Sequence, residues 1–204
     1  MTDAPLPAEH PGFRADPVLD GELVRLRRVT EADLPALLPM HRDPEAARLT
    51  GSHDADPDES LLHDWYAGRR DQGGRLDLAV VERTTGNVIG EAVLNEYDHQ
   101  NGSCNFRIAL VPGSHGRGSG TEATRLLVGH GFEVLGLHRI SLEVYAFNPR
   151  ARRVYEKVGF VTEGVLREAL LWQGRRTDAA VMSILAPEWA RHRGHPEAAA
   201  PGTH

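Results

Sequence analysis

The chain has 204 residues, 40% hydrophobic and 25% charged, which fits one globular domain with a full core. A single cysteine, Cys104, excludes an internal disulfide and a cysteine-rich metal site; with no 18-residue apolar run and no signal-peptide pattern, a cytoplasmic protein without a membrane partner is expected. The formal charge of −6 is uneven, with 20 Asp/Glu against 10 Lys/Arg in residues 1–100 and 9 against 13 in residues 101–204, so the basic half suits a polyanionic cofactor, the acidic half suits a cationic co-substrate, and the overall acidity opposes nucleic-acid binding.

Residues 1–19, with prolines at 5, 7, 11 and 17, read as a disordered lead-in. The body opens on an alternating strand, Leu23–Arg27, followed by a helix with Thr30 as N-cap and Leu34, Leu37, Leu38 and His41 at helical spacing. After the acidic stretch Asp54, Asp56, Asp58 and Glu59, a second helix covers Ser60–Arg70, its apolar stripe being Leu61, Leu62, Trp65 and Tyr66. Strands over 76–83, 88–97 and 103–111 form an antiparallel meander. A glycine-rich turn then opens a helix over 121–135, with Gly136 as its C-cap. A strand over 139–147, a short helix over 149–158 and two closing strands over 160–172 and 178–185 complete the body. Residues 187–204 read as a flexible tail, and His192, His195 and His204 there have no fixed scaffold on which to form a metal site, so no metal is expected.

The order predicts an α/β (α+β) fold. It is a single domain over 20–186 with a mixed, mostly antiparallel sheet of about seven strands and about four flanking helices. The strands at 104–111 and 139–147 are joined by a crossover helix and should run parallel. If they splay where the glycine turn leaves, their separated edges make a slot in which a ligand can meet exposed backbone.

The turn itself, His115-Gly116-Arg117-Gly118-Ser119-Gly120-Thr121, alternates glycines at a helix start. Glycines there permit positive φ and close backbone approach, and the helix N-terminus adds roughly half a positive charge, so a pyrophosphate can rest on main-chain N–H groups. Further on stands Asn148-Pro149-Arg150-Ala151-Arg152-Arg153-Val154-Tyr155, ending in Val158-Gly159-Phe160.

Together these segments resemble the GNAT superfamily of acyl-CoA-dependent N-acetyltransferases, in particular its ribosomal-protein N-terminal (Rim-type) and polyamine-acetylating branches, over about residues 20–186. The family loop Gln/Arg-x-x-Gly-x-Gly/Ala is matched by residues 115–120, with His115 as the departure, and Thr121-Glu122-Ala123 follows it as is frequent there. The later block matches Asn148, Tyr155, Gly159 and Phe160, with Ala151 three residues after Asn148. The resemblance implies acetyl-CoA as co-substrate, held by His115, Gly116, Arg117, Gly118, Ser119, Gly120 and Thr121. It also implies that Asn148 bonds the pantetheine arm or adjacent backbone, and that Tyr155 stands beside the thioester sulfur. Asn148 reads equally as a helix N-cap.

Such a transfer needs a base for the amine, a donor for the tetrahedral oxyanion and an acid for the departing thiolate. Tyr155 is the candidate acid, and backbone N–H groups at Leu110 and Val111 are the candidate oxyanion donors. Leu142-Glu143-Val144 resembles the Leu-Glu-Val of Rim-type enzymes, and Tyr155 lies twelve residues beyond Glu143 as it does there, so Glu143 is the candidate base. Asn105 stands where other members often carry a glutamate, which leaves Glu91 or a water chain as alternatives. The expected activity is acetyl transfer to a primary amine, either a protein N-terminus or a small molecule, drawn in by the acidic stretch at 54–59. The closing strands, through Leu166, Leu170, Leu171 and Trp172, offer an apolar homodimer face.

Two other readings remain. Gly118-Ser119-Gly120-Thr121-Glu122-Ala123 also satisfies the dinucleotide fingerprint, although it follows a meander and lacks a second mononucleotide half. A noncatalytic acyl-CoA-binding sensor would keep the same fold, because fold alone does not establish chemistry.

Overall fold

The computed structural model describes residues 6–52 and 57–193. Within them eight strands run β1 (Leu19–Asp20), β2 (Val24–Arg28), β3 (Leu76–Glu82), β4 (Val88–Asp98), β5 (Ser103–Leu110), β6 (Arg139–Tyr145), β7 (Val161–Trp172) and β8 (Arg175–Leu185). They form one sheet in the order 1-2-3-4-5-6-8-7, in which β5 and β6 are the parallel pair. Six α-helices accompany them: α1 (Leu34–His41), α2 (Pro44–Thr50), α3 (Glu59–Ala67), α4 (Ser119–Glu133), α5 (Pro149–Val158) and α6 (Ala186–His192). With a single parallel pair in the sheet, the doubly wound dinucleotide-binding alternative has no support in the topology.

Alternation along the strands sorts the side chains between two faces. Val24 and Leu26 of β2, Leu76 and Leu78 of β3, and Ala92 and Leu94 of β4 point into a large core. That core is closed by Ala123, Leu127 and Val128 of α4, Tyr155 and Val158 of α5, and Trp189 of α6. The opposite face carries a smaller core beneath α1 and α3, made by Leu34, Leu37, Met40, Leu62, Tyr66 and Ala79. Leu61 and Trp65, expected in the apolar stripe of α3, are instead exposed, and the Arg69 guanidinium lies over the Trp65 ring.

Three expectations change. The described part of the lead-in, residues 6–19, packs on the domain: Phe13 is buried against Tyr97, whose hydroxyl donates to the Pro7 carbonyl, and Arg28 donates to the carbonyls of Phe13 and Ala15 at 2.6 and 2.7 Å. One aromatic anchor and a buried arginine hold a segment that looks featureless in composition. Residues 187–192, read as part of a tail, belong to α6, which docks Trp189 on the core with its indole N–H donating to Glu133 at 2.9 Å. His192 lies on α6, while His195 and His204 fall outside the described residues. Lastly, α2 goes unread in the sequence although its signals are ordinary: Asp43 caps the Glu45 N–H, Pro44 occupies the first turn, and Gly51 closes the helix at φ 71°. Among the described residues no helix is long and apolar enough to cross a membrane.

Candidate active site

The parallel pairing of β5 and β6 covers only Ser103–Asn105 against Arg139–Ser141. Beyond that point β5 stays with β4 as far as Leu110, and β6 stays with β8 as far as Tyr145, so the sheet parts between them. A cleft of about 340 Å³ fills the gap. Its walls include Ile108, Ala109 and Leu110 of β5, Glu143 and Val144 of β6, the glycine turn, and the face of α5. The helix α2 crosses over it with Asp43, Glu45 and Leu49, and is tied down where Arg48 stacks over Phe147, 4.4 Å from the ring centroid.

Of the turn residues expected to hold a cofactor, His115, Gly116, Gly118, Gly120 and Thr121 line the cleft. Gly116 and Gly118 sit at φ 85° and 88°, which only glycine adopts without strain, directly before the first turn of α4, whose N–H groups have no partner within the helix. Two residues do not reach it. Arg117 turns toward Glu82, 3.8 Å away, and Ser119 is buried in α4. Burial and the neighbouring Arg150 lower the His115 pKa, against a smaller opposing effect of Asp43. The imidazole is therefore largely neutral near pH 7.

The cleft is electrically divided. Arg150, Arg153 and Lys157 stand along α5, whereas Asp43 at the cap of α2, Glu45 on α2 and Glu143 on β6 stand opposite. The sequence missed this acidic rim because α2 itself went unread. The stretch that was expected to attract an amine contributes less. Asp58 caps the Ser60 N–H and Glu59 pairs with Arg42 at 3.1 Å, while Asp54 and Asp56 lie outside the described residues.

Glu143 and Tyr155 are brought to the same cleft from opposite faces of the sheet. Glu143 is exposed on its strand, and Tyr155 is 7% exposed, packed edge-on against Phe106. Burial pushes the Tyr155 phenol up to about 12, so it is protonated throughout the neutral range. Asn148 lines the cleft as well, and its side-chain oxygen accepts the Ala151 N–H at 3.1 Å, so it does cap α5.

The oxyanion donors narrow to one. The Val111 N–H is already committed to the Ile89 carbonyl at 2.9 Å. Because N–H directions alternate along an antiparallel strand, that of Leu110 points away from β4 and into the gap. Glu91 is not among the residues that line the cleft: its carboxylate lies under α3 and accepts the Tyr66 hydroxyl at 2.9 Å. Burial raises its pKa, outweighing that hydrogen bond. Asn105 is likewise engaged, donating to Asn95 at 3.2 Å.

A split parallel pair, a glycine-rich helix start and a cleft basic on one side and acidic on the other define the class of fold. The comparisons name it. Residues 24–161 match the acetyltransferase (GNAT) domain, and the chain belongs to that family and is an N-acetyltransferase. It is 26% identical over 174 residues to the uncharacterized N-acetyltransferase YoaA of Bacillus subtilis, covering 84% of this chain and 98% of that one. It is 36% identical over 110 residues to a spermidine N(1)-acetyltransferase of Vibrio cholerae, covering 54% of this chain and 64% of the other. The structure of a V. cholerae spermidine N-acetyltransferase in complex with CoA and spermine superposes with a TM-score of 0.78 at 25% identity, covering 83% of this chain and 99% of that one.

Proposed function

We propose that this N-acetyltransferase moves the acetyl group of acetyl-CoA to a cationic primary amine by direct attack in a ternary complex. The observation that carries this reading is the meeting of Glu143 and Tyr155 in one cleft from opposite faces of the sheet. Donor and acceptor then approach from different sides and neither must leave before the other enters.

The diphosphate rests on the N–H groups of the glycine turn, beside His115, Arg150, Arg153 and Lys157, and the pantetheine arm follows the unpaired edge of β5 past Asn148. The amine enters along Asp43, Glu45 and Glu143. Glu143 takes a proton from the ammonium, directly or through one water, and the free amine attacks the thioester carbonyl. The Leu110 N–H stabilises the oxyanion. As the carbon–sulfur bond breaks, Tyr155 gives its proton to the thiolate; the excess proton on the attacking nitrogen passes through water to the phenolate and Glu143 releases its own to solvent, leaving a neutral amide, CoA and both side chains in their starting states. No covalent acyl-enzyme forms, and Cys104, buried away from the cleft, is not used.

Val161, Val165, Leu166 and Leu171 are exposed along the outer strand β7 and support a homodimer through that edge, although Leu170 is buried within the subunit. Acetyl-CoA-dependent CoA release, measured across polyamines, N-terminal peptides, aminoglycosides and amino acids, tests the reaction. Turnover confined to one class of cationic amine supports the reading. CoA binding by calorimetry without turnover on any amine overturns it.

A further inference from the structure

Glu122 places a carboxylate beside the anion cradle. It lies in the first turn of α4, the helix whose N-terminus forms the glycine cradle. A carboxylate there opposes the binding of a diphosphate and competes for the helix dipole. Yet both oxygens are turned outward and saturated. One accepts the Glu22 N–H at 2.8 Å, and the other accepts the Leu23 and Val24 N–H groups at 2.8 and 2.7 Å.

Those donors belong to the turn between β1 and β2, about a hundred residues earlier in the chain. Three consecutive backbone N–H groups converge on one anion, the arrangement that elsewhere in proteins holds a bound phosphate. Gly21 is part of the fit, since a Cβ there would stand 2.5 Å from the Glu122 carboxyl carbon. The docked turn in turn supports the cradle. Leu23 packs so closely that a Cβ on Gly118 would meet its methyl at 3.0 Å, and Arg83 bridges back by donating to the Gly21 carbonyl at 2.7 Å.

We infer that Glu122 is a positioning residue for the donor: its carboxylate, held in the backbone turn at 22–24, fixes the pitch of the glycine cradle and withdraws a negative charge from the bound diphosphate. This rests on the acetyl-CoA reading above. It makes a prediction whose sign is informative. Were Glu122 only a charge near the phosphates, neutralising it would tighten binding. As a latch, its neutralisation weakens binding, because an amide presents an NH2 group to backbone donors that need an acceptor.

The test compares Glu122→Gln and Gly21→Ala with the parent chain, using acetyl-CoA and S-acetylpantetheine, which has the thioester but no diphosphate. With either variant, KM for acetyl-CoA and Kd for CoA rise about tenfold while kcat stays within about twofold. The kcat/KM for S-acetylpantetheine does not change. The double variant loses no more than the worse single one, since both act on one contact. Equal losses on both donors mean general damage to the fold and overturn the inference, as do unchanged or tighter CoA binding. A parent chain that binds no CoA overturns the acetyl-CoA reading itself, whereas variants that bind CoA like their parent overturn only the latch.

Discussion

Tyr66 donates its hydroxyl to Glu91 at 2.9 Å, and the same oxygen lies 2.8 Å from the His41 ring nitrogen. If the phenol gives its proton to Glu91, His41 must donate to the phenol oxygen, which fixes its tautomer. Burial lowers the His41 pKa, assisted by Arg69, so the ring is neutral near pH 7. The chain joins α1, α3 and β4 beneath the acceptor side of the sheet without lining the cleft. Tyr66→Phe leaves a buried carboxyl short of a donor, and urea unfolding should show a loss of about 2 kcal/mol. Because the group is outside the cleft, kcat should remain within about threefold; a hundredfold fall would return Glu91 to the list of bases.

Tyr155→Phe keeps the ring contacts with Phe106 and Phe160 and removes only the hydroxyl that carries the proton. Turnover should fall about 100-fold while CoA affinity changes less than twofold. With the phenol at about 12, no alkaline decline in kcat from this group is expected below about pH 10. A decline near pH 8 that vanishes in the variant would contradict the assignment.

Glu143→Gln should cut kcat/KM about 100-fold at pH 7 and steepen its dependence on alkaline pH, because the amine must then lose its proton to solvent. A flat comparison across pH 6–9 would remove Glu143 as the base.

Acid stability should carry a signature of Glu163. It pairs with Arg139 and accepts from Ser183, and these partners hold its carboxyl down to about 2. A carboxylate whose folded pKa is depressed stabilises the fold above its unfolded pKa, and the contribution is lost as pH falls through the folded value. The window is therefore from about pH 4.5 down to about pH 2. The side chain is 40% exposed, so solvent screening limits the effect to about 1 kcal/mol. The stability difference between the parent and Glu163→Gln should shrink across that window in pH-dependent urea unfolding.

Trp189→Ala tests whether residues 186–192 belong to the domain. Trp189 stacks near Phe132 and bonds Glu133, so its loss should cost about 3 kcal/mol in urea unfolding. A cost below about 0.5 kcal/mol would restore the reading of a tail with no part in the fold.

Where hydrophobic period and turn chemistry agreed, the sequence was readable. The β4–β5 meander, the glycine turn into α4, and Asn148-Pro149 opening α5 all announce themselves within a few residues. Apart from α2, whose local cap signals went unread, what escaped depends on single long-range contacts. Phe13 gives no periodic signal, yet it anchors the N-terminal segment on Tyr97. Trp189 stands in a short charged helix that gains its hold on the core from contacts with α4. The separation of Val111 from Leu110 as donors could not be read at all, since it depends on which N–H faces β4. Glu91 illustrates the converse: a strand glutamate is a plausible base by type, and only the geometry reveals Tyr66 above it.

The parting of β5 from β6 leaves main-chain amides such as that of Leu110 without a strand partner in the middle of an eight-stranded sheet. In the free protein these positions should exchange hydrogen with solvent as quickly as a loop, while Asn105 and Ser141, a few residues away, exchange slowly. Bound donor would slow the Leu110 amide and remove that contrast. The centre of the sheet thus works as a built-in reporter of occupancy, readable without label or substitution.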